Sequence, residues 1–270
     1  MKFFLTLKQN KNAFISLGLS LAGFAFLWFV WIIAYYAAKN EFLFPSVGDT
    51  FRALGKLLFT GGALTRSFYR SLGATFLRTF FAFVLSLVCG VGLAALAVSF
   101  RGVRAFLAPI VSVLRTLPTL AIVLMLSLWT SPSLAPVFVC VLVLLPAVYA
   151  SALAAFTDAV GQFGDFARAY KIGRAKRIFA LYLPVSLPTL FTEGGAILSM
   201  GLKITVSGEV LAATFSSLGG MMQEAQIYLM VPRLFALTLF TILLGFLLEG
   251  ACALLKKLVV KWDGKRGETA

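Results

Sequence analysis

The chain has 270 residues, of which 60% are hydrophobic and only 13% charged, against about 45–50% apolar and about 25% charged in soluble globular domains. It cannot cover itself with polar surface in water, so it reads as one all-α polytopic membrane domain. The net charge of +14 then fixes topology and meets anionic lipid rather than nucleic acid. Histidine is absent, which excludes histidine metal ligation and histidine general-base chemistry.

Residues 13–38 form the first expected span, after Lys2, Lys8 and Lys11, and close on the interfacial aromatics Trp31, Tyr35 and Tyr36. The run exceeds the apolar core of a signal peptide, about 7–15 residues, so it is read as retained. Ser46 and Asp49 stand in a capping pattern, and Phe51, Leu54, Leu57 and Leu58 share one helical face. This predicts a short helix on the membrane surface. Gly55-Lys56 lacks the spacing and the Ser or Thr of a phosphate loop, and no other stretch supplies one.

Residues 71–100 are the second span, with Gly90 and Gly92 suited to close helix packing. Residues 105–129 are the third, interrupted by Arg115, Thr116 and Pro118. Proline bends a helix, and in lipid such a break must be covered by protein or a water-filled cavity. Arg115 reads either as a cation snorkelling beside a structural kink or as the lining of a passage. A polar turn at 130–135 leads to the fourth span, 136–156. Residues 189–213 are the fifth and hold Glu193, Lys203, Ser207 and Glu209. Lys203 and Ser207 share a face, and charges within a span point to function, although Glu193 and Glu209 also fit the interface. A polar link at 214–231 with Gly219-Gly220 precedes the sixth span, 232–255. Cys89, Cys140 and Cys252 are scattered in apolar runs and form neither a disulfide frame nor a metal site.

Six spans place both termini on one side. That side gathers Lys2, Lys8, Lys11, Arg101, Arg104, the basic loop and the C-terminal lysines and arginine, fifteen of the 24 basic residues. The positive-inside rule makes it the cytoplasm. The loop at 157–188 carries Arg168, Lys171, Arg174, Lys176 and Arg177, and each cation would cost about 2.5–3.5 kcal/mol at the bilayer centre. It therefore lies in water. Asp165 suits a helix start, Phe166, Ala167 and Tyr170 share a face with Arg168 off it, and Gly173 suits a left-handed helix end. A second amphipathic piece runs from Arg174 to Leu183 and Pro184. The predicted product is a helix–turn–helix elbow joined to the fifth span.

These residues carry a resemblance. Asp165-Phe166-Ala167-Arg168, Gly173 and Leu183-Pro184 resemble the coupling loop of permease subunits of bacterial ATP-binding-cassette importers, with Asp in place of Glu and Phe in place of the first Ala of its Glu-Ala-Ala start. FPSVGDTFRALGKLL, RTLPTLAIVLMLSLW and SGEVLAATFSSLGGMMQEAQ resemble further blocks of that family, in its order. The nitrate, sulfonate, taurine and bicarbonate permeases, with relatives for thiamine precursors, are the group most similar. The resemblance implies a type I importer fold in the bacterial inner membrane and a second permease subunit, expected as a homodimer. It implies an ATPase subunit that binds ATP, so that this chain needs no cofactor and is not itself an enzyme, and an extracytoplasmic solute-binding protein. The elbow would be the ATPase contact, and Arg115, Thr116, Pro118, Lys203, Ser207 and Glu209 are the candidate path residues. Lys203 and Arg115 would favour an anion. The competing reading is an ion-gradient carrier using Lys203, Glu193 or Glu209. An intramembrane enzyme is disfavoured by the lack of histidine and of paired catalytic carboxylates.

Overall fold

The computed structural model describes residues 18, 19, 21–23, 25–37 and 44–260. All regular structure among them is helical. The helices are α1 (Leu21–Ala37), α2 (Val47–Phe59), α3 (Ala63–Ser99), α4 (Arg101–Thr116), α5 (Thr119–Trp129), α6 (Ala135–Ala169), α7 (Arg174–Arg177), a π segment (Ile178–Tyr182), α8 (Leu183–Leu211), α9 (Leu218–Ile227) and α10 (Val231–Val259). Helical stretches lie at all six expected positions. By length and composition α3, α6 and α10 can each cross a membrane, and α4 with α5 makes a fourth crossing if the bent pair is one span. α1 is shorter, and α8 carries Glu193, Lys203 and Glu209. The start of the expected first span, Lys2, Lys8, Lys11 and the basic residues after Val260 lie outside the described residues.

α3, α6, α8 and α10 form the bundle. Its larger core joins Phe68, Phe83, Leu144, Val148, Leu202, Leu218 and Leu237. Small residues set the approach of the helices. A Cβ on Gly90 would sit 2.7 Å from Val148, so α3 and α6 meet there, whereas Gly92 faces no atom within 4 Å and has no such role.

The helix predicted after Pro45 is present. Ser46 accepts from the Asp49 N–H at 3.0 Å, and its hydroxyl donates to the Asp49 carboxylate at 2.6 Å. Leu54 and Leu57 are buried and α2 packs on α10. Phe51 lies off that core and stacks on Trp28 at 5.8 Å. α2 is thus built into the bundle rather than merely lying on the membrane.

The third expected span is fully broken. Proline drives the residue before it out of the helical region, and Leu117 is extended, with ψ 129. α4 ends at Thr116, α5 restarts at Thr119, and the two meet at 91°. The expected bend is therefore a corner. The link after α8 also differs from expectation, because residues 218–227 form α9, capped by Ser217, which accepts from the Gly220 N–H at 2.8 Å.

Candidate functional site: the broken helix, the α8 face and the elbow

α8 presents two chemically different faces. Gly194, Ile197, Leu198, Gly201, Leu202, Thr205, Gly208 and Glu209 are buried against its neighbours. Thr189, Glu193, Ala196, Met200, Lys203, Ser207 and Leu211, spaced by three or four residues, stay exposed. Glutamate, lysine and hydroxyls along one uncovered face of a membrane helix do not suit hydrocarbon.

Beside this face is the α4–α5 corner. A cavity of about 210 Å³ is lined by Leu114, Arg115, Leu117 and Thr119 from the corner, by Val143, Pro146 and Ala147 from α6, and by Met200 from α8. Lys203 lies one turn beyond Met200 on the same exposed face. Arg115 thus lines the cavity, whereas Lys203 and Ser207 continue the exposed α8 face beyond Met200 and are not part of its lining. Pro118 shapes the corner and Thr116 closes α4, its hydroxyl donating to the Val113 carbonyl at 3.0 Å.

Glu209 is separate from them. Its side chain is wholly buried and accepts from Thr75 Oγ1 at 2.9 and 3.0 Å, from Arg78 at 2.9 Å and from the Gly219 N–H at 3.2 Å. Thr75 Oγ1 also accepts from the Leu218 N–H at 2.9 Å. A Cβ on Gly219 would lie 2.5 Å from Glu209 Cβ and from the Val206 carbonyl, so only glycine lets α9 come this close. The expected path residue Glu209 is instead an internal anchor binding α8 to α3 and to the positive end of α9. Arg78 and Thr75 were not singled out as site residues. The available signal was that Arg78 and Glu209 are opposite charges within spans, each needing a partner.

The elbow begins inside α6. That helix has 35 residues, about 52 Å at 1.5 Å per residue, and the apolar bilayer core is about 30 Å. The helix is therefore longer than one crossing needs, and its last turns carry the elbow. Gly164 and Asp165, expected at a helix start, lie within this continuous helix. Asp165, Phe166, Arg168 and Tyr170 are exposed and Ala167 is buried. The Phe166 and Tyr170 rings meet at 4.6 Å, and Asp165 pairs with Arg168, raising the arginine pKa.

The left-handed residue of the turn is Lys171, with φ 48, and not Gly173, which is extended and caps α7. The Ile172 N–H donates to Ala167 and the Lys171 N–H to Arg168, both at 3.0 Å. Paired bonds of this kind satisfy the last helical carbonyls with the residue after the cap left-handed. Arg177 Nε then donates to the Ile172 carbonyl at 2.6 Å, closing the elbow.

From Arg174 the chain runs through the π segment into α8 without a loop. Pro184 would press on a carbonyl four residues back in an α-helix, and the wider π turn lets the Leu183 N–H bond Ile178 instead. Leu183 and Pro184 therefore begin α8 rather than ending a separate second helix.

A long-helix bundle with a corner-broken helix at a cavity, a polar face on α8 and a helical elbow is the arrangement that a membrane transport subunit needs. The chain belongs to the family of binding-protein-dependent transport system inner membrane components, whose sequence profile matches residues 83–261. It is 23% identical over 257 residues to the taurine transport system permease protein TauC of Escherichia coli (strain K12), covering 95% of this chain and 92% of that one. Its fold is that of a chain in two inward-facing crystal forms of the MetNI methionine ABC transporter. The TM-scores are 0.59 and 0.57, with 20% identity over 73% of this chain and 95% of that one. The chain is accordingly a multi-pass inner-membrane permease component of an ABC importer and not an enzyme.

Proposed function

We propose that this chain forms the passage for a small sulfonate or related anion in an importer completed by a second copy, a cytoplasmic ATPase that binds ATP and an extracytoplasmic solute-binding protein. The observation that carries this reading is the exposed Glu193–Met200–Lys203–Ser207 face of α8 beside the Arg115 cavity. Charged groups in a membrane helix belong in protein or water rather than lipid, and a face between two copies provides both. Arg115 at the cavity and Lys203 one turn beyond Met200, with Glu209 already paired to Arg78, favour an anionic solute. The taurine-permease relative supports the same class.

The termini and the elbow face the cytoplasm in this scheme. The ATPases grip Phe166, Tyr170 and the adjoining elbow surface, and their closure rocks α8 between inward- and outward-open states. ATP binding supplies the free energy that shifts the two populations. The test is uptake of radiolabelled taurine by the assembled importer, with nitrate as competitor. Lys203→Ala should raise the apparent KM at least tenfold, or about 1.4 kcal/mol, while the ATPase stays bound. An unchanged KM for every anion that the parent carries would end the anion reading.

A further inference from the structure

We infer that the elbow acts on the passage by a second route, through α4 and its broken end, and that Arg174 and Phe100 are the positioning residues of that route. This rests on the permease reading above and adds a connection that reading does not require.

Phe100 is the single extended residue, φ −134 and ψ 112, on which α3 reverses into α4. The Arg174 guanidinium, in the first residue of α7, lies 5.3 Å from the centre of its ring. A guanidinium over an aromatic face is attracted by the ring quadrupole. Just past α7, Tyr182 of the π segment is buried in one apolar cluster with Leu107 and Val111 of α4 and with Tyr149 and Phe156 of α6. The elbow therefore meets the start of α4 through Phe100 and shares a buried apolar cluster with the rest of that helix.

Only one stretch of α4 remains beyond those contacts. It ends at Thr116, where the chain turns through 91° into α5. Arg115 and Leu117, at that corner, line the cavity. The route from Arg174 to the cavity thus runs through the Phe100 ring contact, the start of α4 and one continuous helix. A displacement of the elbow that moves Phe100 moves α4 lengthwise, and the hinge at Leu117-Pro118 converts this into a change at the cavity. Phe166, Tyr170 and Phe179 are left exposed for the ATPase. Arg174 is exposed as well, but its guanidinium is engaged with the Phe100 ring, which sets it apart from those three aromatics.

The test uses the full chain with its ATPase in native membranes. Leu117→Cys reports the corner through its rate of modification by a small thiol reagent, with Cys89, Cys140 and Cys252 of the parent setting the background. The rate should change between nucleotide-free and ATP–vanadate states. Arg174→Gln or Phe100→Leu should shrink that change roughly twofold to fivefold, the worth of one exposed cation–aromatic contact. Arg174→Lys should keep most of it, and the double variant should be no worse than either single, as one shared contact requires. ATPase co-purification should be unaffected in all of them. An undiminished change in both single variants, or additive losses in the double, overturns the route through α4. Loss of the ATPase from these variants would likewise overturn it, because Arg174 would then belong to the docking surface. If no ATPase accompanies the parent chain, the permease reading itself fails by that separate result and takes this inference with it.

Discussion

Glu209 shows how much a single residue's surroundings alter its meaning. A carboxylate in a membrane helix suggests an ion or solute site, but three donors and complete burial commit this one to holding helices together. Removing one partner of a buried pair strands the other, at a cost of about 3–5 kcal/mol. Glu209→Ala should therefore destabilise the purified chain by that amount in denaturant unfolding in detergent. A loss under about 1 kcal/mol would show that the pair does not hold α8, α3 and α9 together.

At the scale of elements, the elbow separates conformational from packing roles. Gly173 has φ −64 and ψ 153, which other residues adopt, and no atom lies within 4 Å of an added Cβ. Gly173→Ala should change stability by less than about 0.5 kcal/mol and leave ATPase co-purification intact. Ala167 is fully buried beneath the turn, and its carbonyl accepts from Ile172. Ala167→Leu should cost about 1–3 kcal/mol by overpacking and deplete the co-purified ATPase. Equal behaviour of the two variants would mean that the turn does not depend on this packing. The sequence drew attention to Gly173 because glycine is the usual left-handed residue. The structure puts Lys171 there instead, held by two backbone bonds and by Arg177.

For the whole molecule, the helices were legible because long apolar runs broken by charge admit few alternatives. Pro45-Ser46 announced α2, Arg115-Pro118 announced a break, and the basic loop announced the elbow between α6 and α8. What local pattern could not provide was anything depending on two distant stretches. Arg78 and Glu209 lie more than a hundred residues apart, the Phe100–Arg174 contact joins two separate turns, and no spacing rule links Met200 to Arg115. The 91° corner was also beyond reach, since proline signals an interruption but not its angle. The sidedness of the molecule can be measured directly. Lys176 is exposed on α7, and Lys176→Cys in intact cells should resist a membrane-impermeant thiol reagent and react once the membrane is opened. Reaction in intact cells would reverse the orientation.

The π segment between α7 and α8 has one further consequence. Each residue in an α-helix turns the chain by about 100°, and a π turn holds one residue more than an α turn. The segment Ile178–Tyr182 therefore works as a phase shifter. It sets the compass bearing of α7 relative to the polar face of α8 without altering either sequence. Deleting a single residue there would leave both helices whole and their side chains unchanged, yet would swing the basic face of α7 away from Phe100. The direction in which this elbow points relative to α8 is thus written in the count of residues between its two parts rather than in their chemistry.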